Sequence, residues 1–217
     1  DTVTYRLRAS DNNKLTGPGV GETPEYVIRF PSSHEIDQMA QQRQEQTVEQ
    51  LESMSEQARQ IRETIENVQR EIIKNEEVTW QDQAELRDAV QQQQAMQQEL
   101  EDQLKTLEAV KDRMQQNGML SPETLEKLEQ VRTLMSALNS PELERLSRDM
   151  QAAIDDVDEE MIREAIDRLT EEQEFFQENL DRTIELLKRV QQEQMLDAVT
   201  ARLRDLASHQ DRIADEV

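Results

Sequence analysis

Residues 158–213 read DEEMIREAIDRLTEEQEFFQENLDRTIELLKRVQQEQMLDAVTARLRDLASHQDRI, with neither Gly nor Pro. Within them Ile162, Ile166, Leu169, Gln173, Phe176, Leu180, Thr183, Leu187, Val190 and Gln194 recur in alternating steps of four and three. That spacing keeps one stripe of a helix turned toward a partner. A helix of this length is about 80 Å long, too long to be wrapped inside a globular core. The rest of the chain therefore reads as shorter pieces laid alongside it. After Gln194 the stripe slips by five residues to Val199, then resumes through Leu203, Leu206, Gln210 and Ile213. A slip of this kind marks a change of supercoil or of packing partner. The end from Val199 is expected to project beyond the bundle.

Four earlier segments show the same period. Leu51, Met54, Ala58, Ile61, Ile65, Val68 and Ile72 form one stripe, preceded by a polar stretch over 37–50 that holds the pattern poorly. A second runs Leu86, Ala89, Gln93, Met96, Leu100, Gln103, Leu107, Val110 and Met114, opened by Thr79 with Asp82 three residues on and closed by Asn117-Gly118. These are helix start and stop signals. Ser121-Pro122-Glu123 and Ser140-Pro141-Glu142 repeat one start: a capping Ser, a Pro at the first helical position and an acid near the positive end of the dipole. They open stripes of Leu125, Leu128, Val131, Met135 and Leu138, then Leu143, Leu146, Met150, Ala153 and Val157. Together these two equal the preceding helix in length, so they read as one broken traverse. The expected helices are 34–76, 80–117, 122–138, 142–156 and 159–214.

Residues 1–31 differ. Val3, Tyr5, Leu7 and Ala9 alternate with polar residues, as do Tyr26, Ile28 and Phe30 around Val27 and Arg29. Period two is that of a half-buried strand. Asp11-Asn12-Asn13 and Gly17-Pro18-Gly19-Val20-Gly21 between them are turn-rich. The expectation is a β-hairpin that completes a sheet whose other strands lie outside the sequence, followed by a helical region over 32–217. The fold class is mainly α: an elongated antiparallel helical bundle or coiled coil preceded by that hairpin.

Composition agrees. Charged residues are 34% and aromatic residues 3%, with a net charge of −23. Such charge repels phosphates and anionic headgroups, so neither nucleic acid nor a membrane surface is an expected direct partner. A cationic partner, or a source rich in salt, would suit an acidic surface with so few lysines. No cysteine is present, so redox chemistry gives no compartment.

No constellation for catalysis stands out. Gly17 to Glu22 has the glycines of a phosphate loop but neither its Lys nor its hydroxyl, and reads as turn. His34 and His209 are the only histidines; Asp205 and His209 share a helical face but make no ligand set. Trp80 and Phe175-Phe176 are expected to fill the bundle's ends and middle. Gln93, Gln173, Gln194 and Gln210 read as polar layers that set register. No catalytic, cofactor or metal residue is assigned, and the chain is not expected to be an enzyme.

Several stretches together resemble a known family: Ala9-Ser10-Asp11-Asn12-Asn13 before Gly17-Pro18, then Phe30-Pro31-Ser32, Ser121-Pro122-Glu123-Thr124-Leu125-Glu126-Lys127, Ser140-Pro141-Glu142-Leu143 and Arg182-Thr183-Ile184-Glu185-Leu186-Leu187-Lys188-Arg189. The order is similar to uncharacterised bacterial envelope proteins in which membrane helices precede immunoglobulin-like extracytoplasmic domains and a Glu/Gln-rich helical region. The resemblance implies that 1–31 are the last strands of an immunoglobulin-like sandwich, and that the chain lies outside the cytoplasm, tethered to the membrane through parts of the parent chain. It brings no reaction and no site residues. Relatives of this kind are sometimes labelled chromosome-segregation or DNA-repair ATPases, which the missing phosphate loop and the charge oppose. The expected function is a structural or protein-interaction module, with protein partners and self-association through the helical seams. The rival is a holdase-like chaperone or adaptor, its groove made adaptable by Met54, Met96, Met114, Met135 and Met150.

Overall fold

The computed structural model describes residues 2–11, 19–29 and 31–215. The chain divides into two compact units, Asp1–Met39 and Ala40–Val217.

In the first unit β1 (Thr2–Tyr5) pairs antiparallel with β4 (Tyr26–Arg29), and β2 (Arg8–Ser10) with β3 (Val20–Glu22). The register sets Val3 opposite Ile28 and Tyr5 opposite Tyr26, whose rings stack with centroids 5.3 Å apart. The single strand expected over 3–9 is interrupted between β1 and β2. Pro24 lies on the returning side and has no N–H to give a ladder. Thr23 substitutes: its hydroxyl accepts from the Leu7 N–H at 3.0 Å, and its own N–H donates to the Leu7 carbonyl at 2.9 Å. Toward the turn the Gly19 N–H donates to the Asp11 carboxylate at 2.8 Å. A Cβ on Gly19 would sit 3.0 Å from that carboxylate, so a side chain there would crowd it. Gly21 belongs to β3 opposite Ala9, a correction to its expected place in a turn. Asn12, Asn13, Gly17, Pro18 and Phe30 lie outside the described residues.

The strands are not half-buried as their alternation predicts. Val3, Tyr5, Leu7, Val20, Tyr26 and Ile28 are all exposed. Among the described residues the strands form two sheets of two strands each, and no second layer covers their apolar face.

Helix α1 (Ser33–Asn75) runs from the first unit into the second. Ser32 and Glu35 form a capping box: the Ser32 hydroxyl accepts from the Glu35 N–H at 3.2 Å, and the Glu35 carboxylate accepts from the Ser32 N–H at 2.8 Å. This satisfies two end groups that would otherwise lack partners. Helices α2 (Trp80–Gln116), α3 (Pro122–Leu138), α4 (Pro141–Asp156) and α5 (Glu159–Asp215) follow. The start signals work as expected. Thr79 and Asp82 make a reciprocal capping box, Ser121 caps the Thr124 N–H at 3.1 Å, and Ser140 caps those of Glu142 and Leu143. Gly118 closes α2 in the left-handed region at φ 65°, with the Met119 N–H donating to the Met114 carbonyl at 3.0 Å.

Cross-helix pairs fix the directions. Ser55 and Gln69 of α1 donate to Asp181 and Asp167 of α5, each at 2.7 Å. Rising numbers on one helix meet falling numbers on the other, so α1 and α5 are antiparallel. Lys111 of α2 reaches Glu129 of α3 at 2.7 Å, and Arg87 of α2 reaches Asp155 of α4 at 3.1 Å. Both α3 and α4 pack on α2 and on α5, which makes them one broken traverse of an antiparallel bundle.

The expected stripes are the core. Leu51 through Ile72 on α1, Leu86 through Leu107 on α2, and Ile162 through Val190 on α5 are buried at their seam positions. The polar start of α1 is a correction: Ala40, Gln44 and Thr47 are buried too, so the four–three stripe continues through 37–50 with polar members. Three further seam assignments shift. Leu125 and Val110 are only half-buried, and Val157 is 62% exposed. Val157 leaves the helix altogether, in the left-handed region at φ 55°, and so turns off the α4 seam.

Candidate interaction surfaces

The core is apolar except at a few levels. In its middle the Gln173 side-chain amide donates to Gln93 Oε1 at 2.6 Å, joining α5 to α2 as the expected polar layer does. By the register that pairs Arg87 with Asp155, the buried Ser147 falls level with Ala95, between Gln93 and Gln97. Gln93 Nε2, Gln97 Nε2, Ser147 Oγ and Gln173 Oε1 each lack a protein hydrogen-bond partner. Near the start of α1, Gln44 is 1% exposed with both amide atoms unpartnered. The other two glutamines behave differently: Gln194 is half-buried and Gln210 exposed, because the layer needs a facing helix and α5 runs out of neighbours past Glu193, which Lys127 of α3 still reaches.

A shallow groove of about 620 Å³ runs between α3 and α5. Leu134 and Leu186 form its floor, and Glu126, Glu129, Arg182, Glu185 and Arg189 its rim. Glu129 is held by Lys111 and by Arg132, each at 2.7 Å, and these cations keep its carboxyl below the usual carboxylate range. Acids precede bases by four residues at several places on α5, and two of these pairs form, Glu159–Arg163 at 3.9 Å and Glu164–Arg168 at 2.5 Å. Among the described residues the pairs Glu178–Arg182 and Glu185–Arg189 do not close. Arg182, Glu185 and Arg189 line the groove instead.

At one end of the bundle α1 hands over to α2 and α4 to α5. The two turns are tied by Arg163, which donates to the Glu76 carbonyl at 2.8 Å. Here Ile73, Trp80, Val157 and Met161 are exposed. Trp80 does not fill the bundle end as expected: it is 80% exposed. It sits one residue past its N-cap, two before the buried Asp82 from which the inward stripe of α2 begins. Phe176 is 2% exposed and fills the middle, whereas Phe175 is 51% exposed, since neighbouring helical residues point about 100° apart. Among the described residues Glu76 and Val157 are the two non-glycine residues with positive φ. For a β-branched side chain that conformation is a genuine outlier.

At the other extreme, α5 continues past its partners. Leu196, Val199, Leu203 and Leu206 are exposed at helical spacing, as the slip after Gln194 predicts. The side chains of His34, Asp205 and Ile213 lie outside the described residues. Among those described, no group of three His, Cys, Asp or Glu is arranged to hold a metal, and no helix is long and apolar enough to cross a membrane. No protein-family model, curated protein or solved structure matches the chain.

Proposed function

We propose that the chain is a non-enzymatic structural and protein-interaction module, a helical spacer and docking element of a larger envelope protein. The observation that carries this is α5: 57 residues in one uninterrupted helix, about 85 Å at its rise per residue, buried along one stripe to Val190 and exposed beyond it. A helix braced over most of its length and bare at its end holds a fixed separation and offers a surface there. The finer assignments follow the resemblance: the exposed Val3, Tyr5, Tyr26 and Ile28 face suits strands that complete an immunoglobulin-like sandwich, with the parent chain anchored in a membrane and this region extracytoplasmic. The holdase reading draws less support. Met54, Met96, Met114, Met135 and Met150, which would line an adaptable groove, are all buried in the core.

The test is a distance. Spin labels on Glu160→Cys and Thr200→Cys, diluted in unlabelled protein, should give a narrow distribution near 60 Å, forty residues of unbroken helix. A broad distribution would remove the spacer. Binding of ATP or duplex DNA at moderate salt would replace the whole reading with the nucleic-acid-associated one.

A further inference from the structure

We propose that the bare end of α5 is a self-assembly seam, whose occupant is the same segment of other copies of this chain. The inference deepens the module reading and rests on it. Leu196, Val199, Leu203 and Leu206 are exposed and continue in sequence register through Gln210 and Ile213. They take alternating a and d positions of three heptads, the repeat that drives helices into a coiled coil.

Charge selects the partner. The chain carries −23, but residues 195–215 hold three arginines against four aspartates and no glutamate, so this stretch contributes only −1. The positions flanking the seam are Met195, Thr200, Arg202, Ala207, His209 and Ala214, with no acid among them. Asp197, Asp205, Asp211 and Asp215 all fall in outer register positions. Over the rest of this acidic chain a second copy would be repelled; along this seam two copies approach without like charges meeting. A membrane surface fits worse, because a helix lying on lipid carries a polar face rich in Lys and Arg, where this one has no lysine and sets four aspartates against its three arginines.

Gln210 sets the direction. In a parallel, in-register assembly it faces Gln210 of the next copy and the amides can bond each other. In an antiparallel one it faces Val199, leaving a polar group against an apolar one. A single polar a position selects register in this way. Leu at a with Val or Ile at two of the three d positions does not confine the assembly to two strands.

Light scattering over a concentration series tests the seam. The expected mass rises from 25.4 kDa to two or more chains. Leu203→Glu with Leu206→Glu, exposed positions given a good helix former, should return it to one chain with unchanged far-ultraviolet circular dichroism. Gln210→Cys, the only thiol in the variant, should form an interchain disulfide under mild oxidation. A single-chain mass at every concentration overturns the proposal, as does association that the double variant leaves intact, or binding to anionic vesicles in its place. A monomer that keeps the narrow 160–200 distance loses the seam but not the spacer; a broad distance removes both.

Discussion

Gln173 on α5 donates to Gln93 on α2 at 2.6 Å, with neither side chain more than 1% exposed. The bond crosses between two helices that run in the same direction and lock their relative height. Replacing only one partner leaves the other buried amide unpaired, which costs about 1–3 kcal/mol. Gln93→Leu should therefore lower the urea midpoint by that equivalent. Gln93→Leu with Gln173→Leu should recover most of it. A double variant as unstable as the single would mean the layer is held by something other than this pair.

Val157 offers the opposite sign. A side chain in the left-handed region costs roughly 1–2 kcal/mol, and Val157 has little burial to offset that. Val157→Gly should stabilise the bundle by about 1 kcal/mol, less than the full strain because glycine also loosens the unfolded chain. Thermal unfolding reads this directly. A destabilised variant would show that the exposed valine has a partner at the tip.

Position along α5 decides what a leucine is worth. Leu180 is fully buried and Leu203 is 61% exposed. Leu180→Ala should cost about 2–5 kcal/mol, the range for a core cavity. Leu203→Ala should leave the stability of the single chain within about 0.5 kcal/mol, as surface substitutions do. Denaturant titrations at low protein concentration separate the two.

Acid should erase the contribution of Glu129. Lys111 first, then Arg132, hold its carboxyl below the usual range. A carboxylate lowered in the folded state stabilises above its unfolded value and loses that stabilisation as pH falls through the folded one. Glu129→Gln should thus melt lower than the parent at pH 7, and the two should converge once the pH has fallen below the ordinary glutamate range, through the lowered folded value. Glu129 faces water, so the gap will be small and should shrink with added salt.

Most of the helical unit was legible because its signals are local. A Ser before Pro, a Gly after Asn and a four–three stripe each act within one or two turns, and each ended up where its chemistry demands. What escaped was set by neighbours. Gln44 and Thr47 looked like surface because glutamine and threonine usually are; facing helices bury them. Trp80 looked like core for the same kind of reason, and its place one residue past the cap turned it outward. Val157 had the spacing of a seam residue, and nothing in its identity announces a positive φ. On the hairpin, alternation predicted a covered face, but covering needs a second layer that two strands cannot supply. Of the candidate surfaces, the bare end of α5 was readable from the slip after Gln194. The apolar tip was not, since it joins residues from turns far apart in sequence.

The uninterrupted run of α5 through the bundle has a mechanical meaning. Tension applied at its C-terminal end enters along the helix axis, so the layers from Val190 back to Ile162 are loaded in shear and share the force rather than opening one after another. The junction between α3 and α4 at Asn139-Ser140 bears none of that pull directly. A strained chain of this design should hold along α5, with the load spread over its whole buried stripe.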